Sequence, residues 1–227
     1  MEAHLLQNPL PPIQVQRDPL KRLFDFVVSF LVLFLTFPLG LLIAIAIKTT
    51  SRGPVFYKSP RLGRGGRIIG VWKFRSMYID ADSLLPRLLA ENPEMKREWE
   101  LYRKLKIDPR ITPLGLFLRR TSLDEWPQFW NVFLGEMSLV GPRAQAIMGS
   151  WEQFVSEMPR YYGDQMETIL SVRPGITGLW QVSGRSEIPL EERIRLEASY
   201  ALKRSFWKDL EILFKTIPAV LATKGAC

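Results

Sequence analysis

The stretch FVVSFLVLFLTFPLGLLIAIAI, residues 26–47, decides the architecture. Its 22 residues carry no charge, enough by count for a helix to cross about 30 Å of hydrocarbon. Two features argue against simple crossing. Lys21 and Arg22 precede it, and Lys48, Arg52, Lys58, Arg61, Arg64 and Arg67 follow it. Positive loops prefer one membrane face, so a helix with basic flanks at both ends has no good orientation, whereas a hairpin that returns to its starting face satisfies both. The second feature is Pro38, with Gly40 two residues on. Proline removes a backbone donor and clashes with the preceding turn, so a sharp bend is expected at Phe37-Pro38, leaving arms of roughly 10 to 12 residues, each too short to span.

Other readings compete. Spanning helices tolerate proline when neighbours satisfy the freed carbonyl, so a kinked transmembrane helix fits the same features. Ala44-Ile45-Ala46 resembles a signal-peptidase site, but the apolar run is long and begins late for a signal peptide. A soluble core helix would lack a polar face. The preceding 20 residues hold four prolines and no apolar periodicity, and are expected to form a flexible arm, residues 1–20.

The chain has 227 residues, 31 Lys+Arg against 23 Asp+Glu, and 47% hydrophobic residues, in line with one ordinary domain. Its lone Cys, Cys227, cannot make an intrachain disulfide, and its lone His, His4, lies in the arm. Cys/His zinc sites and Cys–His or Ser-His-Asp nucleophiles are therefore set aside, and a catalyst must draw on carboxylates, Lys, Arg or hydroxyls. The net charge of +8 suits anionic lipid, nucleic acid or phosphorylated substrates alike.

Residues 55–77 are expected to form two short strands around Gly63-Arg64-Gly65-Gly66. That turn matches neither phosphate-loop pattern, so a plain hairpin is the better reading. Residues 80–107 are expected to be helical with a break near Pro93. Phe206, Leu210, Leu213, Phe214, Ile217 and Leu221 recur at helical steps, which gives an amphipathic helix that either packs on the core or lies at a membrane interface.

The densest polar constellation is DPRITPLGLFLRRTSLDEWPQFWNVFLGEMSLVGPR, residues 108–143, with Arg119, Arg120, Asp124, Glu125, Glu136 and Arg143 among aromatic and aliphatic residues. Ser122 to Glu125 has capping-box spacing, which places Asp124 and Glu125 in the first turn of a helix or, given Pro127, just before it. Either position favours an ionised carboxylate. Glu125 as a cap with Asp124 solvated is the bland alternative. Beside arginines, an Asp nucleophile with Glu125 orienting it or sharing a Mg²⁺ suits a diphosphate substrate. A second stretch, SVRPGITGLWQVSGR, residues 171–185, offers Arg173, Trp180, Gln181 and Arg185 to grip a nucleotide, or else packs Trp180 into the core.

Taken together, KRLFD, GPVFYKSPRLGRGG, WKFRSM, the 108–143 stretch, SVRPGITGLWQVSGR and DLEILFKTIPAVL resemble the bacterial sugar transferases, the monotopic phosphoglycosyl transferases. The likeness runs from Lys21 to about Gly225. It implies a bacterial sugar transferase domain over residues 21–227. The implied fold is mainly α with a small β-hairpin element: a re-entrant membrane helix-break-helix and a cytosolic catalytic body with amphipathic interfacial helices. It further implies transfer of a hexose 1-phosphate from a UDP-sugar, UDP-glucose or UDP-galactose, to undecaprenyl phosphate at the bacterial inner membrane, initiating surface polysaccharide assembly. Asp124 would be the nucleophile, Glu125 would assist it and Mg²⁺, and Arg119, Arg143, Lys73 and Arg75 would hold phosphates, with Arg120 beside them. Residues 171–185 would border the uridine. Two positions depart from the family: Phe37 stands where Ser usually precedes the bend proline, and Ala144 where another Pro is common. Membrane lipid is an expected partner, a homodimer is left open, and nucleic acid drops out. The rival is a non-catalytic, membrane-tethered basic protein that binds anionic lipid or nucleic acid.

Overall fold

The computed structural model describes residues 13–102, 105–147, 151–184 and 188–221. Helix α1, Pro19–Leu35, begins where Asp18 leaves extended backbone and its carboxylate accepts the Lys21 N–H at 3.0 Å, with Pro19 in the first turn. After Thr36 the chain resumes as α2, Phe37–Thr50, bent from α1 by 61°. No single helix among the described residues is long and apolar enough to cross a membrane. The arms are longer than the uncharged run implies, because Asp18 starts α1 seven residues earlier and α2 continues past Lys48.

Pro38 has no N–H to give the turn before it, and the bend is closed from outside the helix. The Thr36 hydroxyl donates to Val32 O and accepts from Trp126 Nε1 at 2.7 Å. The hydroxyl missing at Phe37 is thus supplied one residue earlier. Gly40 makes room for this: a Cβ there would stand 2.7 Å from the Trp126 ring. The Trp126 ring also stacks on Phe74, centroids 5.7 Å apart with the planes nearly parallel at 10°.

Strands β1, Phe56–Leu62, and β2, Ile68–Phe74, form the expected antiparallel hairpin, and the turn between them places Gly65 and Gly66 at positive φ. Next come α3, Ala81–Glu91; α4, Pro93–Tyr102; α5, Pro113–Arg120; and α6, Gln128–Leu134. The break at Pro93 is where sequence placed it. Strand β3, Ser138–Val140, precedes β4, Gln145–Ala146, which pairs with β1. After α7, Trp151–Tyr162, and α8, Met166–Leu170, strand β5, Gly175–Thr177, pairs in parallel with β3. Three helices close the chain: α9, Leu179–Ser183; α10, Leu190–Lys203; and α11, Phe206–Leu221. The fold is mainly helical with small β elements, and a parallel pair joins the expected hairpin.

Both ends of the bent pair are tied to this one body, the arrangement of a re-entrant element. At the start of α1, Lys21 pairs with Asp209 of α11, Arg22 donates to Val132 O and Phe133 O at 2.6 Å each, and Asp25 accepts the Leu139 N–H at 3.1 Å. At the far end, Arg75 donates to Arg52 O, Ser51 O and Ser51 Oγ, capping the C-terminus of α2 as a cation there should. Arg75 was expected to hold phosphate; although it lines the cleft described below, its two terminal nitrogens are committed to the membrane helix. Lys21 and Arg22, expected as interfacial flanks, likewise dock the helix. The inner face of α2, Ile43 and Ile47, packs with Phe74 and Leu118, while Phe34, Leu35, Phe37 and Leu42 remain 61–71% exposed. Asn131, fully buried on α6, covers the open edge of β2 by accepting from Trp72 N and donating to Gly70 O.

One expectation changes and another is narrowed. Within the proline-rich arm, Pro19 and Leu20 already belong to α1, and the Gln16 N–H bonds Ser171 O at 2.9 Å. Of the two readings left open for α11, the exposed Phe206, Phe214 and Ile217 agree with an interfacial face, while Asp209 and Ile212 are buried against the body.

Thr36→Val removes the acceptor and leaves the Trp126 N–H unpaired. It should lower stability by about 1–3 kcal/mol, read by thermal unfolding in detergent, whereas Thr36→Ser should stay close to the parent. Equal stability of the Val and Ser variants would show that the bond does not hold the bend.

Candidate active site

The helix α5 starts with Thr112, whose hydroxyl accepts the Gly115 N–H, and Pro113. It crosses so close to Ser76 that a Cβ on Gly115 would lie 1.9 Å from Ser76 O. That crossing sets Arg119 to donate from Nε to Ser76 Oγ at 2.8 Å. After α5 the chain reverses through Ser122, the one non-glycine residue at positive φ (58°) among the described residues, into a 3₁₀ turn, Leu123–Glu125. The capping box suggested by spacing does not form: the Ser122 side chain makes no cap bond. Of the two positions left open by sequence, the carboxylates take the one just before α6. A left-handed non-glycine backbone costs energy and is held by its surroundings, here by Trp126 against Phe74 and α2.

The turn faces a cleft of about 1030 Å³ lined by Lys73, Arg75, Ser76, Arg119, Arg120, Asp124, Glu125, Arg143, Trp180 and Gln181, together with Arg61, which sequence reading had assigned to the basic flank. Glu125 is clamped: Oε1 lies 2.7 Å from Lys73 Nζ and 2.6 Å from Arg143 Nη2, with Arg143 Nη1 at 3.5 Å from Oε2. Asp124, only 8% exposed, lies 4.0 Å from Lys73 Nζ and takes no direct hydrogen bond among the described residues. Burial would raise the Glu125 pKa, but Arg143 and Lys73 outweigh it and hold the carboxyl far below the usual range. For Asp124 burial wins: desolvation raises it, Lys73 opposes, and the Glu125 charge adds to the rise. The helix-end stabilisation expected for Asp124 is thus outweighed. Arg61, half-buried near Arg143, is pushed down to about 10 by desolvation and then by Arg143, and it donates to Ala144 O and Ser59 Oγ.

Trp180 and Gln181 sit on α9 at the cleft margin. Trp180 is buried at 8% exposure, with the Arg193 guanidinium 3.9 Å from its ring centroid, so the stacking partner is a protein cation. Glu197 accepts the Arg143 N–H at 3.1 Å and lies 3.6 Å from Arg193. Arg173 is not brought to the cleft; its Nε donates to Gly135 O at 2.8 Å on another side of the body. Arg185 lies outside the described residues. Arg61, Arg193, Glu197 and Trp126 were not among the expected site residues. Ser59 and Arg61 share one face of β1 by strand alternation, a signal available from sequence; the others meet only through folding.

No group of three or more Asp, Glu, His or Cys able to hold a metal occurs among the described residues. Asp124 and Glu125 together match the smaller donor set with which Mg²⁺ is held when phosphate supplies further oxygens.

The same body thus carries a bent apolar helix pair and a carboxylate pair inside a cationic cleft. The chain belongs to the bacterial sugar transferase family, whose sequence pattern matches residues 16–223. It is 42% identical over 207 residues to the undecaprenyl-phosphate galactose phosphotransferase of Salmonella typhimurium, covering 91% of this chain and 41% of that protein. It is 38% identical over 212 residues to the UDP-glucose:undecaprenyl-phosphate glucose-1-phosphate transferase of Escherichia coli, covering 91% and 41%. Over 206 residues it is 40% identical to the exopolysaccharide production protein ExoY of Rhizobium meliloti, covering 91% and 87%. The chain spans about two fifths of the length of the first two.

Lys73 favours the charged form of Asp124, so removing it should raise the Asp124 pKa further. Carboxyl ¹³C NMR of aspartate-labelled protein should show Asp124 titrating above an ordinary aspartate and moving up again in Lys73→Met. A downward move would contradict this placement of charges.

Proposed function

We propose that the protein transfers a hexose 1-phosphate from a UDP-sugar to undecaprenyl phosphate, with Asp124 as nucleophile. The observation that carries this reading is the buried Asp124 carboxylate, next to a Glu125 that Lys73 and Arg143 already neutralise, in a cleft beside the re-entrant helix. Because Glu125 occupies those two cations, the neighbouring Asp124 keeps an oxygen available for attack.

Asp124 Oδ attacks the β-phosphorus of the UDP-sugar. The new Oδ–P bond forms as the bond to the bridging oxygen breaks, and UMP departs with that oxygen. A phosphate oxygen of undecaprenyl phosphate then attacks the same phosphorus, the Oδ–P bond breaks, and Asp124 is regenerated with release of the polyprenyl diphosphate sugar. Lys73, Arg61, Arg119 and Arg143 surround the site where negative charge gathers, and a fixed cationic cleft lowers both barriers because its dipoles and charges need little reorganisation. Ser76 holds Arg119 in place. Asp124 and Glu125 would hold a Mg²⁺ whose charge offsets that of the diphosphate.

Relatives named for galactose and glucose transfer support UDP-galactose or UDP-glucose as donor. The basic flanks support a catalytic body on the cytoplasmic face of the inner membrane, and the likeness to an exopolysaccharide production protein supports a role at the start of surface-polysaccharide assembly.

With undecaprenyl phosphate, Mg²⁺ and a panel of UDP-sugars, UMP should be released for at least one sugar and the glycosyl-phospho-aspartate should be trapped on Asp124 by mass spectrometry. Asp124→Asn should cut turnover by at least about a thousandfold. Near-parental turnover in that variant would sink the mechanism; salt-sensitive binding to many polyanions without product would favour the non-catalytic reading.

A further inference from the structure

The cleft that holds Asp124 and Glu125 among cations is also lined by Phe56, Tyr78, Ile79, Ile107 and Leu116, alongside the charged Asp82, Lys106 and Asp108. The five apolar and aromatic residues are exposed, from 37% at Leu116 to 81% at Ile107. Scattered surface apolar residues mean little, but several large ones on one concave wall mark a binding surface.

Its position identifies the ligand class. The Ile79 Cδ1 lies 3.2 Å from where a Cβ on Gly53 would stand, and Gly53 O takes a hydrogen bond from Lys48 at the end of α2. The apolar wall therefore begins where the chain leaves the membrane element. Leu116 continues it on α5, which packs against α2 and also exposes Phe117 at 56%. Four residues on, along the same face of α5, Arg120 lines the cleft as well. Within one helical turn α5 gives the cleft both hydrocarbon and a cation, the two parts of a lipid phosphate.

We infer that this wall is the track for the isoprenoid chain of the acceptor, with the first isoprene units over Ile79, Ile107 and Leu116 and the phosphate delivered past Arg120 to Asp124. The inference rests on the acceptor proposed above and adds where its chain lies. A water-soluble nucleotide sugar has less use for such a wall than an isoprenoid acceptor does.

The test is the Ile79→Ser/Ile107→Ser double variant, assayed in nanodiscs with undecaprenyl phosphate and the preferred UDP-sugar, beside Ile79→Leu/Ile107→Leu. Both positions are exposed, so folding should survive. The kcat/KM for undecaprenyl phosphate should fall by about tenfold or more in the Ser variant, the KM for the UDP-sugar should stay within about twofold, and the Leu variant should keep acceptor efficiency. Unchanged acceptor kcat/KM in the Ser variant, or matching losses toward both substrates, would overturn the track. A parent protein that makes no polyprenyl diphosphate sugar from any donor would instead overturn the proposed activity itself.

Discussion

The hydrogen bond from Trp126 to Thr36, with the ring stack on Phe74 behind it, is the constraint on which the rest depends. Trp126 lies two residues after Asp124, and Thr36 lies at the bend of the membrane helix pair. One indole therefore sets the angle of the re-entrant element and the position of the turn that carries the carboxylates. Pro38 makes a break available, but proline alone does not say where the two arms go. The direction comes from a body residue reaching into the inner angle, which Gly40 permits.

Charge in the molecule is distributed along the same line. Residues whose sequence position suggests headgroup contact, Lys21 and Arg22, are spent on Asp209 and on the last carbonyls of α6. Arg75, whose motif suggests phosphate, is spent on the end of α2. The cations that act on Asp124 are a smaller set, Lys73, Arg119 and Arg143, of which two already neutralise Glu125. The Asp is left buried, without a direct hydrogen bond among the described residues, and harder to ionise than an ordinary aspartate because desolvation outweighs Lys73.

Legibility followed the range of the forces involved. Local ones could be read: the hairpin around Gly63 to Gly66, the break at Pro93, the bend near Pro38, and Asp124 with Glu125 beside one another in a turn before a helix. The failed capping box was a local competition lost, because Ser122 was drawn into a left-handed turn by packing that spacing does not reveal. Arg173 stood among the residues offered to a nucleotide, yet its guanidinium found Gly135 O on another side of the body. Trp180 could either grip a base or pack inward, and it is buried with Arg193 from a later helix over its ring.

From sequence alone came the chemistry available to the protein and its attachment to a bilayer. With one His and one Cys it had to work through carboxylates and cations, and 22 uncharged residues with basic flanks had to meet lipid. Only the tertiary structure decided which cations serve the site and which serve the fold. A guanidinium binds a phosphate or a backbone carbonyl equally well, and the choice between them is made by distance, which a linear chain does not contain until it has folded.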